Sequence, residues 1–101
     1  MTRSRLRNRR SAETFTFEHS GVRYVATVGR FGDGSLSEIF INAGKLGSSA
    51  NVVAHDAAVL FSIARQHGVP LETITASLAK LPDNSPAGPL GMAIQIAMEN
   101  G

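Results

Sequence analysis

The 101-residue sequence predicts an α+β fold: a three-stranded antiparallel meander followed by three helices packed on one face, a two-layer sandwich. Three observations predict it. The first part of the chain alternates apolar and polar residues with period two, whereas the second part changes to helical spacing. The connections between the alternating segments are short and glycine-rich, which favours antiparallel neighbours. Gly68, Pro70 and Pro89 punctuate the helical part where helices end and begin.

Residues 1–12 read as a polar, flexible arm with only Leu6 as an anchor, and residues 13–101 as a single domain. Thr14 to Glu18 alternates strictly, so Phe15 and Phe17 share one face of the first strand. Ser20-Gly21 supplies a tight hairpin turn. The second strand, Val22 to Arg30, sets Val22, Tyr24, Ala26 and Val28 on one face. Gly32-Asp33-Gly34 is the next turn, and Ser37 to Asn42 the third strand, with Ile39 and Ile41 on one side and Glu38, Phe40 and Asn42 on the other.

A long helix follows, N-capped by Ser48 or Ser49 and running to about His67. Its expected core stripe is Val53, Ala57, Leu60, Phe61 and Ala64. Val52, Val59 and Ile63 widen that stripe so far that the helix is expected to be buried on more than one side. Arg65 and His67 suit the negative end of the helix dipole, and Gly68 is the expected C′ residue. Pro70 fits the first turn of a second helix carrying Leu71, Ile74, Thr75 and Leu78 on one face. A turn-rich loop, Leu81 to Gly88, leads to Pro89 and a last helix with Met92, Ile94, Ile96 and Met98. The apolar surplus on the first and last helices, together with an open sheet edge, predicts a homodimer.

Composition narrows the chemistry. There is no cysteine, which excludes a disulfide, a thiolate nucleophile and thiolate-bound metal. No apolar run approaches the ~20 residues of a membrane span, and no apolar segment follows the basic start, so cytoplasmic residence is expected. Charge is divided unevenly: Arg3, Arg5, Arg7, Arg9 and Arg10 lie in the first ten residues, while the other 91 hold five basic residues against eight acidic ones. A basic arm suits phosphates or an acidic protein surface, but no aromatic residue is interleaved to stack on bases.

Lys45, Gly47, Ser48 and Ser49 form the best anion-binding candidate, with free N–H groups expected at the helix start. The segment lacks the GxxxxGK[ST] arrangement of a P-loop, and a serine N-cap explains it more simply. His55 and Asp56 are adjacent on a helix and point about 100° apart, so they are not a facing acid–base pair. Asp56 on an apolar helix calls for a partner such as Arg23, Arg30 or a backbone N–H. His19, His55 and His67 show no metal-ligand spacing, and neither Ser48 nor Ser62 lies in a GxSxG elbow. Catalytic, metal and cofactor sites are therefore not predicted.

Glu38-Ile39-Phe40-Ile41, Lys45-x-Gly47-Ser48, Ser62-Ile63-Ala64-x-Gln66 and Gly68-Val69-Pro70-Leu71-Glu72 follow one another closely. This series resembles the TSCPD domain, the small region near the C-terminus of adenosylcobalamin-dependent ribonucleotide reductases, and its stand-alone bacterial and phage relatives. The similarity runs from about Thr14 to Ile96. The reductases' radical-carrying and reducing cysteines have no counterpart here, and the resemblance does not extend to their nucleotide-binding barrel. It implies the fold, a bacterial or phage context and a binding or accessory role. The expected function is that of a non-catalytic protein that binds a macromolecular partner as regulator or inhibitor of a host or nucleotide-metabolism machine. Two alternatives stand beside it: nucleic-acid binding through the arginine arm, and a reductase-associated nucleotide-binding domain.

Overall fold

The computed structural model describes residues 13–43 and 49–100. Three strands, β1 (Glu13–His19), β2 (Val22–Arg30) and β3 (Leu36–Ala43), form one antiparallel sheet in the order β1-β2-β3. Three helices follow: α1 (Ser49–Gln66), α2 (Leu71–Ser77) and α3 (Pro89–Asn100). This is the predicted α+β meander with its helices on one face.

Register follows from the turns. Ser20 and Gly21 both have positive φ, 52° and 80°, giving a two-residue loop whose twist matches the strands it joins. Phe17 therefore pairs with Tyr24, and Val28 with Ile39. Every inward residue predicted from alternation falls on one face. Phe17, Tyr24, Ala26, Val28, Ile39 and Ile41 are buried together, and the Phe17 and Tyr24 rings stack at 5.3 Å. From the helices, Ala54, Ala58, Phe61, Leu90, Ala93, Ile94 and Ala97 close the core.

Two five-residue turns are built alike. In residues 31–35, Phe31 N–H donates to Ser35 O and Gly34 N–H to Phe31 O; in 81–85, Leu81 N–H donates to Ser85 O and Asn84 N–H to Leu81 O. Each holds an aspartate, Asp33 or Asp83, that accepts bonds from the hydroxyl and amide of the serine two residues on. Each also needs a left-handed residue, supplied by Gly34 (φ 92°) and by Asn84 (φ 73°). Arg30 faces Leu36 across the first turn, and Lys80 bridges Pro86 across the second. The loop read as Leu81 to Gly88 is thus a second, minimal hairpin.

The α1 helix lies against β3 on a face that shares Phe61, and at its edge Ala57, with the expected stripe but not Val53 or Leu60. Its buried residues are Ala54, Ala58, Phe61 and Ser62. Val52, Val53, Leu60 and Ile63, all placed on the expected stripe or its extension, are exposed. The reason is polar. Side chains of α1 serve the outer edge of β3: Ile39 N–H donates to Ser62 Oγ (2.9 Å), Ala43 N–H to Asn51 Oδ1 (2.8 Å), and Arg65 Nε to Leu36 O (2.7 Å). Gln66 Nε2 also reaches Ser37 O at 3.3 Å. An edge strand presents unpaired amides and carbonyls, and α1 is rotated to satisfy them while small alanines face the core. The expectation of an open sheet edge is corrected for β3.

The helix ends are close to those predicted. At the end of α1, Gly68 N–H donates to Arg65 O and Val69 N–H to Ala64 O, a Schellman arrangement that Gly68 (φ 90°) permits. Arg65 does not serve only its own helix end, because its guanidinium bridges to Leu36 O and Val69 O. Pro70 sits one residue before α2, as its N-cap, where its carbonyl accepts from Thr73 and Ile74. Pro89 opens α3 as predicted. Arg30 ties the far side together, pairing with Glu13 at 3.1 Å and donating to Gly34 O and to Ala97 O in α3.

Candidate functional site

A cleft of about 370 Å³ lies between the end of α2, the 80–86 hairpin and α3. Leu78, Pro86, Ile94 and Met98 make its apolar lining, and Lys80, Asn84, Gln95 and Glu99 its polar members. Sequence reading missed this site. Its walls come from three segments whose juxtaposition depends on how α2 and α3 meet the core; the likeness of LPDNS to FGDGS is the signal that could have found the hairpin.

The polar members are partly committed to structure. Lys80 Nζ donates to Thr75 O at 2.8 Å, capping α2, and Thr75 Oγ1 turns back to Glu72 O. His19 approaches the hairpin through Pro86 O at 3.4 Å. No histidine, tyrosine or cysteine lines the cleft. Its ionisable members are Lys80 and Glu99, and Thr75 brings a hydroxyl. What the cleft offers is an apolar floor with a hydrogen-bonding rim, suited to binding.

The residues singled out from sequence lie elsewhere. Arg3, Arg5, Arg7, Arg9, Arg10, Lys45, Gly47 and Ser48 fall outside the described residues. Ser49 is the first residue of α1 and is exposed. Asp56 does not have the expected ion pair: it is exposed on the outer side of α1, Arg23 pairs with Glu18, and Arg30 with Glu13. A carboxylate in water needs no buried counter-charge, so the expectation failed with the misplaced helix face. His55 and His67 are exposed as well. Among the described residues, no three His, Asp or Glu side chains converge to hold a metal ion. No helix among them is long and apolar enough to cross a membrane.

The two turns carry the electrostatic perturbations. The Ser35 hydroxyl and amide hold the Asp33 carboxyl below its ordinary value of 3.8, and Ser85 does the same for Asp83. A depressed folded-state value gives stability that is present above the unfolded value and lost as pH falls through the folded one. The prediction is therefore a loss confined to pH below about 3.8. In an acid titration followed by circular dichroism, wild type should lose stability there relative to Asp33→Asn/Asp83→Asn. Parallel curves would contradict it. The effect should be slight, because both groups face solvent.

The match to known sequences decides the family. Residues 2–99 match the TSCPD domain. The chain belongs to the TSCPD domain family. It is 37% identical over 70 residues to the vitamin B12-dependent ribonucleotide reductase of Agrobacterium fabrum, covering 69% of this chain and 6% of that enzyme. Against the vitamin B12-dependent ribonucleotide reductase of Rhodopirellula baltica it is 38% identical over 72 residues, 71% of this chain and 7% of the enzyme. This TSCPD chain thus spans only a small fraction of the curated relatives it matches. No solved structure matches it.

Proposed function

We propose that this TSCPD domain is a non-catalytic accessory protein that works by binding a protein partner, as a regulator or inhibitor of a nucleotide-metabolism machine. The observation that carries the reading is the cleft beside α3: an apolar floor of Leu78, Pro86 and Ile94 that ends in exposed Met98. At about 370 Å³ it lies near the lower end of the roughly 300–1,000 Å³ typical of ligand clefts. That size suits one or two apolar side chains of a partner. The kinship with vitamin B12-dependent ribonucleotide reductases makes such an enzyme the first partner to test. Absence of cysteine from the whole sequence agrees with a binding role in place of thiol chemistry.

The test is co-elution of the full chain with such a reductase, and reductase turnover with the chain added. The expected result is a complex and an altered rate, with binding weakened at least about tenfold by Met98→Glu, which places a charge at the cleft's apolar mouth. No complex and no change in turnover would remove the reductase as partner.

The arginine arm supports a second reading, nucleic-acid binding through phosphate contacts. Its affinity would fall steeply with salt. A gel shift given by the full chain and lost by a chain starting at Ala12 would favour it, whereas no shift with either would dismiss it.

A further inference from the structure

The outer face of α1 carries a pattern that the cleft does not use. Val53, Asp56, Leu60, Ile63 and His67 recur at spacings of three, four, three and four residues, the repeat of a helix–helix seam. The positions are exposed: Leu60 at 66%, Val53 at 62% and Ile63 at 51%, with Val52 beside them at 49%. Asp56 and His67 are exposed too, and neither side chain has a hydrogen-bond or ion-pair partner among the described residues.

We propose that this seam is covered by α1 of a second copy, packed antiparallel about a two-fold axis. In such a contact each residue faces a partner residue, and the two sequence numbers sum to a constant. The register that sets Leu60 against Ile63 of the second copy also sets Asp56 against His67. Both pairings recur on the other side of the axis. Apolar contacts occupy the centre, and an imidazole N–H donates to a carboxylate at each end. Parallel packing instead stacks Asp56 on Asp56, placing two carboxylates together. Charge complementarity thus selects both a second copy and its direction. The β3 edge is not an alternative contact, because α1 already serves its backbone. The seam is little more than two helical repeats long, so the expected dimer is of micromolar affinity.

Sedimentation equilibrium of the full chain across the micromolar range tests this. Wild type should be a dimer with a concentration-dependent mass. Leu60→Glu should raise the dissociation constant at least about tenfold without changing the far-UV circular dichroism, since the residue is exposed in the single copy. His67→Asp, which opposes two carboxylates, should also weaken the dimer, and Asp56→His/His67→Asp should restore it. A monomer throughout the range, or a dimer indifferent to Leu60→Glu, would overturn the proposal. A double swap that fails to rescue would overturn the register. The partner-binding reading is judged separately, because its variant, Met98→Glu, lies on α3.

Discussion

Replacing Arg65 by alanine is expected to lower stability by about 3 kcal/mol, through the loss of two charge-assisted hydrogen bonds and one ring contact. The guanidinium donates to Leu36 O at 2.7 Å and Val69 O at 2.9 Å, and lies 5.4 Å from the centre of the Phe31 ring. One side chain thus fixes the start of β3, the α1–α2 link and the turn before β3. Truncation leaves the two carbonyls without their donors in a partly buried site, where water replaces them poorly. For a domain of this size, such a loss corresponds to roughly 12–24 °C in melting temperature. Arg65→Lys keeps the charge but not the planar fork, so it should recover less than half of the loss. Thermal melts of the three proteins check this. A full recovery by lysine would show that charge alone matters at this position.

Much of the fold was legible because strands announce their faces. Alternation in Phe15-Thr16-Phe17 and in Val22 to Val28 has no competing reading, and Ser20-Gly21 fixes the register between them. Gly68 and Pro89 marked their helix boundaries because few backbone conformations suit those positions otherwise.

The face of α1 was not legible from apolar spacing. The face used runs through Asn51, Ala54, Ala58, Ser62 and Arg65, small and polar residues at helical spacing, and it turns about 150° away from Val53 and Leu60. A hydrophobic count rewards Val53 and Leu60. The fold instead rewards residues that satisfy an edge strand, and a rule built on burial alone has no term for that demand. The same error misplaced Asp56, whose exposed position does not require the expected partner, Arg23, Arg30 or a backbone N–H. The cleft stayed hidden for another reason: Lys80, Ile94 and Met98 are neighbours only after α2 and α3 have packed.

That small-residue face leads to the largest expected effect, from Ala58→Leu. Ala54 and Ala58 are completely buried where α1 meets the sheet, so no space exists for a longer side chain. Overpacking of this kind costs about 1–3 kcal/mol by itself. Here the cost grows, because lifting α1 also lengthens the bonds from Ile39 to Ser62, Ala43 to Asn51 and Arg65 to Leu36. Each backbone group on β3 left dry and unpaired adds about 1–3 kcal/mol, so the total should exceed about 4 kcal/mol. That is a large share of the roughly 5–15 kcal/mol that holds a small domain together. Amide exchange distinguishes this mechanism from general unfolding. Under conditions where the variant remains folded, Ile39 and Ala43 N–H should lose protection first, while the β1–β2 pairing at Phe17 and Tyr24 keeps it. Ala76→Leu, on the exposed side of α2, should change stability by no more than about 0.5 kcal/mol. Uniform loss of protection in Ala58→Leu, with the β1–β2 amides exchanging as fast as those of β3, would show that α1 does not hold the edge as a separable unit.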